Sequence, residues 1–134
     1  MPARVLVVDD TFHNVKLLEA QLQTEKYEVF TAFGGREALD RLDRGGIDMV
    51  LLDVMMPGMD GYEVCRRIRA NPQTANLPVV MVTALDKASD REMGLSVGAD
   101  EYLVKPVVLA TLFPLMRRLL QGRGSGAGPA AKAS

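Results

Sequence analysis

The chain predicts an α/β fold on a parallel sheet of five strands, and three observations carry that prediction. Apolar runs of strand length alternate five times with stretches of helical periodicity. The runs at 5–8, 49–52 and 79–82 are apolar throughout, as strands covered on both faces should be. The polar residues Asp9 and Asp10, Asp53, Thr83 and Lys105 each follow directly on such a run. In an open parallel sheet the carboxyl ends of the strands are where ligands bind.

The elements follow in order. The first strand covers residues 4–8, and a helix over 12–25 carries Val15, Leu18 and Leu22 on one face. Residues 28–32 read as the second strand, 36–44 as a helix, and 49–53 as the third strand. Pro57, Gly58, Met59, Asp60 and Gly61 form a loop, with Asp60 placed to N-cap a helix over 62–70 that Asn71 and Pro72 stop. The fourth strand is 78–82, followed by a helix over 86–97 that ends at Gly98. The fifth strand is 101–104, and a last helix ends near Gln121. Five β-α units give a doubly wound, flavodoxin-like (βα)5 sheet, for which the order 2-1-3-4-5 is taken.

A chain of 134 residues that is 48% hydrophobic fits one domain with a real core. A net charge of -1 gives no bulk pull toward nucleic acid or an anionic membrane. Four apolar positions near the start are too few for a signal peptide or a membrane span. The single cysteine, Cys65, allows no internal disulfide, in keeping with a reducing cytoplasm, and its helical core spacing predicts a buried structural thiol. After Gly122 the composition shifts to Gly, Ser, Ala and Pro, so 1–121 reads as one domain and 122–134 as a flexible tail or linker stub.

In the 2-1-3-4-5 order the first and third strands are neighbours roughly 4.8 Å apart, which puts Asp10 beside Asp53 with Asp9 close by. Two like charges at 4 Å repel by about 4 kcal/mol at an effective dielectric of 20, so the cluster calls for a cation or a proton. Hard carboxylate oxygens favour Mg²⁺, which often also holds a phosphate. Thr83 lies on the far side of Asp53, and the Lys105 stem can span the roughly 10 Å from the fifth strand. Asp53, with a metal on one side and two donors on the other, suits phosphoryl transfer with the carboxylate as nucleophile.

These residues resemble the receiver domain of two-component response regulators over residues 3–121. The resemblance rests on the run from Val5 to Asp10, on that from Leu51 through Asp53, Met55 and Pro57 to Gly61, on Val82-Thr83-Ala84, and on that from Gly98 through Tyr102 to Lys105 and Pro106. Around Asn14, Asp53 and Cys65 the wording is most similar to the first receiver of PleD-type diguanylate cyclase regulators, and DivK-type stand-alone receivers are similar too. The resemblance implies that Asp53 accepts a phosphoryl group from a phosphohistidine on a sensor histidine kinase or a histidine phosphotransfer protein. It implies Mg²⁺ held by Asp10, Asp53 and the main-chain carbonyl of Met55, with Asp9 acting largely through water. Thr83 and Lys105 would hold phosphoryl oxygens. Thr83 and Tyr102 would form the switch, the hydroxyl moving to the phosphate as the ring turns inward, and the Lys105–Pro106 bond would be cis. Such a domain catalyses only its own phosphorylation and dephosphorylation. Its partners are a downstream protein or a linked effector, with phosphorylation-dependent homodimerisation open.

Met55 and Leu85 occupy the two variable positions beside the acceptor. Neither can orient a water, so a long-lived phosphoryl group is expected. The last helix departs from the usual pattern: no polar cap precedes Thr111, and Pro114 follows. Thr111 as N-cap would put Pro114 in the first turn, and a kink is the alternative. Three other features take ordinary roles: His13 is an exposed helix residue, Arg66, Arg67 and Arg69 form a solvated edge, and Met55, Met56 and Met59 pack a loop. Two further readings stay open, an input domain of a longer effector such as a diguanylate cyclase, and a Mg²⁺-dependent phosphohydrolase. The second ranks low because position 55, where a second aspartate would be needed, is Met.

Overall fold

The computed structural model describes residues 2–124, and the predicted tail lies outside them from residue 125 on. Five strands, β1 (Arg4–Val8), β2 (Glu28–Ala32), β3 (Met49–Leu52), β4 (Val79–Thr83) and β5 (Glu101–Val104), alternate with five helices. These are α1 (Phe12–Gln23), α2 (Gly35–Asp43), α3 (Gly61–Ala70), α4 (Ala88–Ser96) and α5 (Leu109–Gly124). All pairings are parallel and the order is β2-β1-β3-β4-β5.

The wholly apolar central strands are explained by two cores, one on each face of the sheet. Leu6, Val8, Val50, Leu52, Val79 and Met81 point to the side packed by α2 and α3. The alternate residues Val5, Val7, Met49, Leu51, Val80 and Val82 meet Val15 and Leu22 of α1 and Leu112 and Met116 of α5. With a period of two, only a strand buried on both faces reads as continuous hydrophobe. Asp60 caps α3, accepting from the Glu63 N–H at 2.9 Å. Gly98 follows α4 with φ +113°, donating its N–H to Leu95. Cys65 is fully buried, and burial pushes its thiol pKa up.

Two expectations need correction. The last helix does not wait for Thr111: it starts at Leu109, with the Val108 carbonyl accepting from the Thr111 and Leu112 amides, and runs to Gly124. Pro114 therefore lies inside the helix. The buried face decides this, because Leu112 and Met116 must reach the core one turn apart. Ala110, whose carbonyl loses its i+4 donor to Pro114, is exposed, so water can replace the missing N–H.

Arg69 is not part of a solvated edge. Its guanidinium donates to the Gly98 carbonyl at 2.9 Å, to Leu77 at 2.6 Å, to Ala75 at 3.2 Å and to Asp100 at 3.0 Å. Asp100 in turn accepts from the Val79 amide at 2.8 Å, so Arg69 ties α3 to the starts of β4 and β5. Arg66 and Arg67 are exposed and pair with the Glu63 carboxylate. Arg69→Met is expected to cost about 3 kcal/mol in urea unfolding, because charged hydrogen bonds and several carbonyls lose their partner together. Arg66→Met should stay within about 0.5 kcal/mol.

Candidate functional site

Strand register builds the site. Val8 pairs with Leu52, so Asp9 and Asp53 leave the sheet side by side, and the Asp53 N–H donates to the Val8 carbonyl at 2.9 Å. Thr83 closes β4 on the other side of β3 and pairs with Val104, one residue before Lys105. The Lys105 N–H donates to the Thr83 carbonyl at 2.8 Å, and the Lys105–Pro106 peptide bond is cis. The sheet thus brings four chain segments, far apart in sequence, to one rim.

At that rim Asp9 and Asp53 are 5% and 6% exposed, whereas Asp10 faces solvent. Carboxylate oxygens of the three lie within 4.8 Å of one another. The Lys105 ammonium is 2.7 Å from Asp9 Oδ2 and 3.7 Å from Asp53 Oδ2, so it sits between the two buried acids and leans toward Asp9. Asp9 also accepts from the Thr11 amide at 2.9 Å and from the Asn14 side chain at 3.4 Å, which fixes it against the start of α1. Asp53 Oδ1 accepts from the Met55 N–H at 3.3 Å, and the Thr83 hydroxyl, on the neighbouring strand, favours the ionised form of the same carboxyl. The Met55 side chain is 54% exposed. Met56 and Met59 pack into the core beneath the loop.

Burial raises the Asp53 pKa above the ordinary aspartate value, and Asp9 adds to the rise. Lys105, the Met55 amide and the Thr83 hydroxyl act against it. A divalent cation beside the acids would relieve this conflict. Two oxygens on one Mg²⁺ lie at most about 4.2 Å apart, given bonds of about 2.1 Å. A spread of 4.8 Å closes with small side-chain rotations, so this donor set fits a hard divalent cation.

Tyr102 is 3% exposed, with its hydroxyl donating to the Leu85 carbonyl at 2.9 Å. Ala84 is exposed and Leu85 half-buried beside the rim. A cleft of ≈ 450 Å³ opens from Asp9, Asp53 and Lys105 down between Leu17 and Leu18 of α1 and Pro106 and Val107. His13 is exposed on α1 and takes no part in the site.

With this geometry in view, the chain can be compared with known proteins. A family model described as the response regulator receiver domain matches residues 5–117. The chain belongs to the response regulator receiver family. Response regulator PleD of Caulobacter vibrioides (strain NA1000 / CB15N) is 52% identical over 119 residues, which cover 89% of this chain and 26% of PleD. Response regulator MprA of Mycobacterium sp. (strain KMS) is 44% identical over 129 residues, 96% of this chain and 55% of MprA. This receiver therefore spans between a quarter and about half of the curated relatives it matches.

Among solved structures, Vibrio cholerae chemotaxis protein CheY4 superposes with a TM-score of 0.83 at 35% identity, covering 89% of this chain and 99% of that one. A response regulator structure from Chloroflexus aurantiacus J-10-fl gives 0.86 at 37% identity, covering 90% and 98%. Receivers are signalling switches rather than classical enzymes, taking phosphate from histidine kinases and linking to effectors. Among the described residues no helix is long and apolar enough to cross a membrane.

Sequence reasoning found the three acids, the threonine, the lysine and the tyrosine of this rim. It gave no role to Asn14, which donates to Asp9, to Gly61, packed on the Asp53 backbone, or to Gly94, packed on the Tyr102 ring. A glycine inside a helical pattern was the one legible signal, since it costs helix stability and implies a packing reason.

Proposed function

We propose that this receiver accepts a phosphoryl group on Asp53 from a phosphohistidine of a sensor kinase or phosphotransfer protein, and signals through its α4–β5 surface. The observation that carries the reading is the near-buried Asp53 carboxylate with Lys105, Thr83 and two further acids around it. An Asp53 oxygen attacks phosphorus, the phosphorus–nitrogen bond to imidazole breaks, and the histidine nitrogen keeps the electron pair. Lys105 leaves Asp9 for the incoming phosphoryl oxygens, and the Thr83 hydroxyl donates to the same group. Asp10, Asp53 and the Met55 carbonyl would hold Mg²⁺ directly, with Asp9 acting through water. Bound there, Mg²⁺ would neutralise charge on the transferring phosphoryl group. The single, buried thiol accords with a cytoplasmic setting. The receiver body is taken as 1–121, with 122–134 as its tail or linker.

A second reading makes this receiver the input unit of a longer effector, such as a diguanylate cyclase. The identity to PleD, confined to 26% of that protein, favours it. The length of the encoding reading frame decides between the two.

Acetyl phosphate with Mg²⁺ is expected to add one phosphoryl group by intact mass. The adduct should be absent in Asp53→Asn and absent with chelator, and no adduct from either acetyl phosphate or a phosphohistidine donor would sink the proposal. Half-exposed Met55 and Leu85 offer no group to orient water. The adduct should therefore survive for minutes or longer without a phosphatase. A lifetime of seconds would show that another group activates the water.

A further inference from the structure

Tyr102 lies in a seat made by residues that are not part of the phosphoryl site. Its hydroxyl donates to the Leu85 carbonyl at 2.9 Å, and the Leu85 N–H donates to Thr83 Oγ1 at 3.3 Å. Thr83 ends the strand next to the one that leads into Asp53. A run of two hydrogen bonds therefore links the ring hydroxyl to Thr83 through one loop residue, and it needs the ring to be inside.

Two residues outside that run shape the space for the ring. Gly94 is the buried residue of α4. A methyl there would stand 2.7 Å from Tyr102 Cδ2, 3.1 Å from Cε2 and 2.9 Å from the Met81 sulfur. Nothing about the helix itself asks for glycine at that point: it is mid-helix, where glycine costs stability relative to alanine. The second residue is Tyr62 on α3. Its hydroxyl donates to the Asp90 carbonyl at 3.1 Å, one turn before Gly94 on α4. Arg91 of the same helix donates to the Tyr102 carbonyl at 3.0 Å. The ring is thus roofed by α4, which Tyr62 ties to α3.

We propose that Gly94 and Tyr62 are positioning residues of the switch: Gly94 leaves the notch that admits the Tyr102 ring, and Tyr62 holds α4 in place so that the notch stays open. Seating the ring sets the α4–β5 surface and keeps Leu85 aligned with Thr83. The proposal rests on the receiver reading above, with Tyr102 as its moving aromatic. It adds that the resting balance between ring-in and ring-out is set by these two residues rather than by the phosphoryl site alone.

The test is fluorine NMR of the full chain labelled with 3-fluorotyrosine, the three tyrosines being assigned with Phe variants, alongside acetyl phosphate labelling read by intact mass. Gly94→Ala should shift the ring balance outward by roughly tenfold or more, the scale of overpacking one methyl into a filled core. Its Asp53 labelling should remain. Tyr62→Phe should shift the balance in the same direction by less. Because the methyl could also act on Met81 alone, stability is measured for Gly94→Ala in a Tyr102→Val background, which lacks the ring atoms the methyl strikes. The proposal expects the Gly94→Ala cost to shrink there, and that double variant folds even if the single one does not. A Tyr102 resonance that stays sheltered in Gly94→Ala, or an equal cost in both backgrounds, overturns it. If the wild type takes no phosphoryl group, the receiver reading fails separately, and the ring populations still decide the seat.

Discussion

Lys105→Met is expected to abolish phosphoryl acceptance and, without Mg²⁺, to lower stability by about 2–3 kcal/mol, or roughly 10 °C in Tm. The physical reason is that one ammonium serves two nearly buried acids, at 2.7 Å from Asp9 and 3.7 Å from Asp53. Removing it leaves Asp9 and Asp53 facing each other with no nearby cation among the described residues. Breaking a buried pair from one side costs more than the pair itself contributes, because the surviving charge has lost its water. Millimolar Mg²⁺ should recover most of the lost stability and none of the acceptance, since a cation at the acids cannot stand where the phosphoryl oxygens need a donor.

Asp53→Asn should move stability the opposite way. Burial raises the Asp53 pKa, so its contribution is full when it is protonated and is lost as pH rises through its folded value. The amide variant, neutral throughout, should melt higher than wild type at neutral pH in chelator. That advantage should fade as pH falls below about 4, the ordinary aspartate value. Thermal melts of the three proteins across pH, with and without Mg²⁺, check both claims. A Lys105→Met protein as stable as wild type in chelator would show that the ammonium does not carry the acids.

Gly61→Ala is expected to cost at least about 3 kcal/mol and to slow phosphoryl acceptance strongly. Position 61 opens α3 directly after the loop that follows Asp53. A methyl there would press on the Asp53 carbonyl oxygen, well inside contact distance. It would also stand 2.7 Å from Val54 Cα and 2.9 Å from the Asp53 carbonyl carbon. All three are backbone atoms, so no side chain can swing aside. The Gly61 N–H also donates to the Val54 carbonyl at 2.9 Å, holding the helix start against the strand end. Overpacking ordinarily costs about 1–3 kcal/mol when side chains can adjust, so a backbone obstacle belongs at or above the top of that range. Relief by moving the loop would displace Asp53 and Met55 together, which is why stability and acceptance should fall in the same variant. Gly34→Ala is the control, since a methyl there meets nothing within 4 Å. Urea unfolding and the rate of acetyl phosphate labelling give the two readouts, and a Gly61→Ala protein that labels at the wild-type rate would refute the coupling.

The strands were legible because their pattern has one cause. A parallel strand between two helical layers needs apolar residues on both faces, so residues 5–8, 49–52 and 79–82 could hardly be anything else. The site residues were legible for a related reason: each is the first polar position after such a run, and the fold sends every strand end to one rim. Helix ends were less legible. Asp60 announced α3 because a side-chain cap is a local interaction. The start of α5 stayed open between Thr111 and an earlier start with Pro114 inside, because its cap is a bare Val108 carbonyl and its true signal, Leu112 and Met116 meeting β1, β3 and β4, is not local.

Arg69 shows the same limit for charge. Three arginines in one helical stretch look alike in sequence, and only the turn carrying Gly98 and Asp100 singles one of them out. By itself, then, the sequence determined the five strands and the set of acids, hydroxyl and ammonium at their ends, because these follow from periodicity and from residues adjacent along the chain, whereas the order 2-1-3-4-5 rested on a common doubly wound arrangement. The tertiary structure alone decided that Lys105 leans to Asp9, that Gly61 must lack a side chain beside the Asp53 backbone, and that Gly94 packs against the ring of Tyr102. Each of these is a distance between elements far apart in sequence. No local propensity encodes such a distance, and it exists only once both faces of the sheet are packed.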